Sequence, residues 1–481
     1  MHLLSRSLLA LVACAGCAFA ADSTMTKAQM AANAKADLAE RGTGFTPDVG
    51  SFRQDWRARR DAALAKDPTL PHDPYSLLVK FKAKATPAER DAIIALVGGQ
   101  TIQTWPEFIP DVHHITIDVP LDRAMQVLSD VGTAMDLVEY VEPDLFYRLN
   151  ATPNDGLYSL LWGMNNTGQN VGGDVGIANN DIDANLAWDL VTGSTTFVVG
   201  IADSGIRRTH ADLSTNIWTN AGEIAGDRID NDGNGRIDDT WGWDFWNNDN
   251  NPADDNGHGT HTAGTVGARG NNATGVTGVC WTVRLAGLKI GSATGSISVT
   301  SAANALDYCR GKGIRLSNHS WGGGGFSSTL NTAINSARTA GHLIIAAAGN
   351  GGADGIGDNN NTVPQYPASY SQDNIIAVAA TDNDGRLASF SNFGSTSVDL
   401  AAPGVTIAST YNSSDTSYVY LNGTSMATPH VTGVAALVWI RNPSFTYLQV
   451  RSRLLSTTRA NANLSGRCVT GGVVNAYNAV R

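Results

Sequence analysis

Beyond its first twenty residues the chain has only three cysteines, Cys280, Cys309 and Cys468. In an exported protein that number gives one disulfide and one free thiol by the simplest arithmetic, with Cys280–Cys309 the expected pair. Lys/Arg runs are absent and the formal net charge is −11, which excludes nucleic acid and anionic membranes as natural partners. After the leader no apolar run reaches eighteen residues, so no membrane-spanning helix is expected in the mature protein. Internal repeats are missing, and so is the H-E-x-x-H of a zinc protease. From Ala151 onward Glu223 is the only glutamate, and Lys289 and Lys312 are the only lysines.

What is present begins with MHLLSRSLLALVACAGCAFA, which has a basic residue, a short apolar run and a small-residue site ending at Ala20. That is the pattern of a secretory signal over residues 1–20. Cys14, in Leu11-Val12-Ala13-Cys14, also resembles a bacterial lipoprotein processing site, so a lipid anchor is the alternative to free secretion.

With 481 residues the chain has room for two or more domains. Residues 21 to about 71 are polar, Ala-rich and charged, loosely ordered or helical. Between 74 and 149, "YSLLVKFK" and "HHITIDV" alternate as strands do, while "LVEYVEPDLFYRL" closes with strand-like residues. "TPAERDAIIALVGG" is a helix capped by Thr86 with Pro87 behind it, and "LDRAMQVLSDV" is a second amphipathic helix. The order is βαββαβ-like, that of a small α+β ferredoxin-like domain.

Further on, apolar strands at 196–203, 284–290, 314–321, 342–349 and 374–381 alternate with helical stretches at 258–269, 299–312, 327–340 and 425–440. Continuous apolar strands between helices predict an α/β fold with a parallel sheet covered on both faces. About forty residues follow the last of these helices, too few for an accessory C-terminal domain.

In such sheets chemistry sits at the carboxyl ends of strands. Asp203 ends a strand in "GIADSGI"; His258 opens a helix in "NGHGTHTAG"; Ser425 enters another in "LNGTSMATPHVTG". Each alone is explained by a turn, a structural histidine or a helix cap. Together they supply carboxylate, base and nucleophile, the set that acyl transfer needs.

"DSGI", "GHGTHTAGT" and "GTSMATPHVTG", in that order, resemble the three signatures of the subtilisin-like serine proteases. The likeness covers roughly 152–479, and 74–149 resembles that family's inhibitory propeptide. It implies a signal at 1–20, a propeptide at 21–151 cut near Leu149–Thr152, and a catalytic domain at 152–481. Asp203, His258 and Ser425 would be the triad, and Asn350 in "AAAGNGG" the oxyanion donor. Ser320, Trp321 and Gly322 would pair with an extended substrate, Ala347, Ala348 and Gly349 would wall the specificity pocket, and Gln365 would lie near its floor. With no acid there, strong preference for Lys or Arg is not expected. Protein and peptide substrates, an intramolecular inhibitor in the propeptide, and a monomer follow from the same likeness.

Nine aspartates lie between Asp227 and Asp255, against only Arg228 and Arg236. In "DRIDNDGNGRIDD", Asp230, Asp232, Asn234, the Arg236 carbonyl and Asp238 stand at EF-hand-like spacing, without the terminal glutamate, flanking helices or second loop of a sensor. A structural calcium ion is the expectation, with Asp239 completing the shell. The resemblance adds a second calcium site at Asp155, Asp212 and Asn272, with the Thr274 and Val276 carbonyls. A non-catalytic calcium-binding secreted protein is the rival class; a lipase would need G-x-S-x-G and the order Ser, Asp, His, which this chain lacks.

Overall fold

The computed structural model describes residues 49–67, 70–146 and 151–481. The leader with Cys14 lies outside the described residues, as do Leu149 and Asn150 of the expected processing segment Leu149–Thr152. The chain divides into two compact units, Met1–Arg148 and Leu149–Arg481.

In the first unit, helix α1 (Val49–Lys66) precedes β1 (His72–Phe81), α2 (Pro87–Ala95), β2 (Thr101–Trp105), β3 (Ile109–Thr116), α3 (Leu121–Met135) and β4 (Val138–Leu145). The strands form one antiparallel sheet in the order β2-β3-β1-β4. Thr86 closes a full capping box with Glu89, which fixes where α2 starts. Leu77, Val79 and Phe81 of β1 bury against Ile93 and Ile94 of α2 and Leu128 and Val131 of α3.

The second unit is built on a nine-stranded sheet. Its strands are β5 (Gly193–Asp203), β6 (Gly242–Asp244), β7 (Thr282–Lys289), β8 (Leu316–His319), β9 (Leu343–Ala347), β10 (Ile375–Thr381), β11 (Leu400–Pro403), β14 (Arg459–Ala460) and β15 (Gly472–Val473). The order is β14-β15-β11-β10-β9-β8-β5-β7-β6, parallel throughout except for the β14–β15 edge pair. A separate hairpin joins β12 (Ile407–Tyr411) to β13 (Ser417–Leu421). The helices used below are α4 (His258–Gly267), α5 (Val299–Gly311), α6 (Ser328–Thr339) and α7 (Thr424–Arg441).

The apolar strand runs make sense once both faces are covered. In β9, Leu343 and Ile345 enter one core while Ile344 and Ala346 enter the other; β7 splits Val283 and Leu285 from Ala286 and Leu288 in the same way. Strand side chains alternate faces, so a strand buried on both sides must be apolar at every position. Helices α4 and α7 lie in the first core, α5 and α6 in the second. The α/β parallel architecture expected from the strand–helix alternation is what the sheet displays.

The same division corrects the expected disulfide. Cys280, Cys309 and Cys468 are all free and buried. Cys280 packs in the first core and Cys309 in the second, so the sheet stands between two thiols that a disulfide would need within a few ångströms.

Candidate active site

Parallel strands end together, so β5, β7, β8 and β9 deliver Asp203, Lys289, His319 and Ala347 to one edge of the sheet. Asp203 is buried. Its Oδ1 lies 2.8 Å from His258 Nδ1 and also accepts the Ser204 N–H at 2.7 Å. With Nδ1 donating to the carboxylate, the other ring nitrogen is left as the acceptor. His258 is the first residue of α4, and its side chain keeps 31% exposure. A side chain at Gly259 would fall 2.2 Å from the Gly205 carbonyl, so only glycine lets α4 start this close to β5. Burial lowers the His258 pKa, and the charge and hydrogen bond of Asp203 outweigh it, leaving the imidazole above its ordinary value.

Ser425 is the second residue of α7. Pro429 stands four residues on and has no N–H to return to the Ser425 carbonyl. Ser320 Oγ donates to that carbonyl instead, at 2.8 Å, while Ser425 Oγ donates to the Ser320 carbonyl at 2.9 Å. The hydroxyl therefore rests on the Ser320 backbone. Asn350 Oδ1 accepts both the N–H and the hydroxyl of Thr424, at 2.8 and 2.9 Å. Its Nδ2 faces the Gly423 position, 3.5 Å from where a Cβ would stand.

Ser320, Trp321 and Gly322 follow β8 directly, and Gly323 N donates to the Tyr366 carbonyl at 3.1 Å. The Trp321 ring lies 5.6 Å from that of His319. Ala348 is buried, and Gly349 N donates to Thr424 Oγ1. Gln365 Cγ lies 3.2 Å from the position a Cβ on Gly349 would take, so the structure brings these two together.

The acidic loop is arranged differently from its linear spacing. Glu223, Asp230 and Asp232 each bring one carboxylate oxygen within 4.8 Å of the others. Asp238 turns away and accepts the N–H groups of Gly226 and Arg228. Asp239 is fully buried, bound to Asn220, Asn234 and the Tyr308 hydroxyl, with Lys312 Nζ at 3.3 Å. Lys312 also pairs with Asp232. The Arg236 guanidinium packs over Trp243, Phe245 and Tyr308. In the second candidate site, Asp212 accepts from Asn272 Nδ2, Val276 N and the Tyr418 hydroxyl. Asn272 Oδ1 accepts the Thr274 N–H. Asp155 takes the Asn271 N–H on Oδ2, and its Oδ1 is buried with no donor. Burial, and to a lesser degree Asp212, raises its pKa.

Several residues of this region escape motif reasoning. Lys289 is 2% exposed and donates to the Ser204 and Gly291 carbonyls and to Asp255. Asp254 accepts from Ser204 Oγ, Gly257 N, Thr260 N and Thr260 Oγ1, pinning the start of α4. The scarcity of lysine and glutamate in this part of the chain was the one visible hint for Lys289 and Glu223.

Acyl transfer by a serine hydroxyl is the chemistry such an edge can perform, and the class is a serine hydrolase on an open parallel sheet. The subtilase family model matches residues 194–471. A thermophilic serine proteinase of a Bacillus species is 35% identical over 406 residues, covering 84% of this chain and 86% of that protein. Thermitase of Thermoactinomyces vulgaris is 38% identical over 300 residues, 62% of this chain and 94% of its own. An extracellular protease of Xanthomonas campestris is 37% identical over 430 residues, 84% and 68% respectively. Among solved structures, proteases from Pseudoalteromonas arctica are similar at 32% identity and a TM-score of 0.53, over 69% of this chain and 99% of theirs. The chain belongs to the subtilase family. It is a serine-type endopeptidase, and its substrates are proteins.

Proposed function

We propose that the endopeptidase works through Asp203, His258 and Ser425, with Asn350 as oxyanion donor, and that it is exported as a self-processing zymogen. The 2.8 Å Asp203–His258 bond carries the reading, because it leaves the other imidazole nitrogen free to act as base. His258 takes the Ser425 proton as Oγ attacks the scissile carbonyl, and returns it to the departing amine. Asp203 stays ionised and steadies the imidazolium. Asn350 Nδ2 and the backbone at the start of α7 donate to the oxyanion. Water then hydrolyses the acyl-enzyme by the same proton route in reverse.

Ser320–Gly322 would pair with an extended peptide as an added strand, and Ala348, Gly349 and Gln365 would shape the pocket for its side chain. The leader supports secretion, and the compact βαββαβ unit over 72–145 supports a propeptide that acts as intramolecular inhibitor. A monomer suffices for this chemistry.

Calcium fits two donor sets. Asp155 and Asp212 are buried carboxylates in one small region, and Asp155 Oδ1 has no donor, as a cation ligand should be. On the acidic loop the converging set is Glu223, Asp230 and Asp232, and Asn234 Oδ1 is likewise buried without a donor. The ion would tie these loops down and take no part in the chemistry.

The decisive experiment is Ser425→Ala in the full chain. The expected product is an uncleaved precursor, without peptidase activity and unreactive to a fluorophosphonate. Normal maturation and activity of that variant would refute the assigned nucleophile.

A further inference from the structure

An oxyanion donor works only if it is already in place when charge develops. Asn350 stands between Gly349 at φ 109° and Gly351 at φ 66°, two residues with wide backbone freedom. Thr424 fixes the far end of its side chain and accepts the Gly349 N–H, but it reaches neither the Gly349 carbonyl nor the Gly351 N–H. Those groups are held from another direction. Asn392 donates its main-chain N–H to the Gly349 carbonyl at 2.9 Å, and its side-chain Oδ1 accepts the Gly351 N–H at 2.7 Å. The same oxygen accepts the Asp358 N–H at 2.9 Å.

The Asn392 amide nitrogen donates to Asn360 Oδ1 at 2.9 Å, and Asn360 Nδ2 donates to the Ala348 carbonyl at 2.8 Å. The two asparagines are 1% and 2% exposed. Two interlocked carboxamides thus grip the backbone at 348 and 351, the Asn392 main-chain N–H holds 349, and residue 350 is left as the one between. The fit is close, since a Cβ on Gly349 would lie 2.6 Å from Asn392 Nδ2. A carboxamide supplies an acceptor on one side and a donor on the other at this point. Buried this deeply, each group loses substantially if its partner moves, which makes the grip stiff.

We propose that Asn392, backed by Asn360, is a positioning residue for the oxyanion site, holding the Asn350 backbone so that its amide meets the transition state. The proposal rests on Asn350 being the oxyanion donor. It weights rate over affinity: pairing along Ser320–Gly322 is untouched by Asn392, and only the Ala348–Gly349 wall of the side-chain pocket is shared, so kcat should fall far more than KM rises.

The test is a double-mutant cycle on mature enzyme made from the full chain, with active sites titrated and kcat and KM measured on a chromogenic peptide anilide. Asn350→Ala should lower kcat by about 10²–10³, a magnitude that comes from a subtilisin. Asn392→Ala should lower kcat about 10- to 100-fold with KM within about threefold, since misplacing a catalytic group by an ångström can cost 10²-fold. Asn392→Asp keeps the acceptor for Gly351 and Asp358 but loses the donor to Asn360 and buries a charge, so it should recover only part of that rate. In the Asn350→Ala background, Asn392→Ala should cost less than about threefold more.

Unchanged kcat in Asn350→Ala would refute the oxyanion reading itself. An impaired Asn350→Ala, together with an Asn392→Ala that keeps its kcat or multiplies its full loss onto the double variant, would overturn the positioning role alone. If Asn392→Ala yields no folded enzyme, Asn360→Ala removes the donor to the Ala348 carbonyl and the acceptor for Asn392 without burying a charge, and is read in the same cycle with the same two outcomes.

Discussion

Replacing Lys289 by Met keeps the length of the side chain and removes a buried ammonium from beside the catalytic strand. Its three donors go to the Ser204 carbonyl at 2.9 Å, the Gly291 carbonyl at 3.1 Å and Asp255 Oδ1 at 2.6 Å. Asp255 keeps 47% side-chain exposure and can return to water, so its loss counts for little. Two carbonyls losing a buried donor cost about 1–3 kcal/mol each, partly offset by no longer burying a charge. The net expectation is about 2–4 kcal/mol of destabilisation. In a unit of this size that lowers Tm by about 3–6 °C. Calorimetry on the full chain carrying Ser425→Ala measures it without self-digestion. Ser204 follows Asp203 and gives it an N–H, so loss of its carbonyl tether should also loosen the Asp203–His258 pair and reduce kcat in active enzyme. A Lys289→Met chain within about 1 °C of its parent would refute the claim that this ammonium holds the strand end.

Two further outcomes follow from the site. Because the imidazole must be neutral to accept a proton and its pKa is raised, kcat/KM should fall toward acid with a midpoint above the ordinary 6.5. Asp254→Asn removes a negative charge that contributes to that elevation and should move the midpoint down, and a pH–rate profile that stays put argues against it. Removing calcium with a chelator should lower the temperature of half-inactivation while leaving kcat in the cold unchanged, since an ion at a hundredfold over its Kd stabilises by about 2.7 kcal/mol. Asp155→Asn should blunt that response; equal inactivation temperatures with and without chelator would remove calcium from this account.

The pattern of residues determined much by itself. Apolar strands and helix caps were legible because they follow from local periodicity, and Thr86 with Glu89 shows a cap written within four residues. Asp203, His258 and Ser425 stood out because each lies in a distinctive local sequence at a strand end or helix start. Tertiary structure decided what depends on distance through space. The sheet between Cys280 and Cys309 denies the disulfide that counting suggested. Backbone turns draw Glu223 to Asp230 and Asp232 while Asp238 and Asp239 find other partners, although their spacing suited one ion. Lys289 beside Ser204, and Asn392 beside Asn350, are meetings across 85 and 42 positions of chain that no local pattern encodes. A motif carries chemistry because a few side chains suffice to name it, whereas the contacts that hold those side chains still arise only when distant strands and loops pack together.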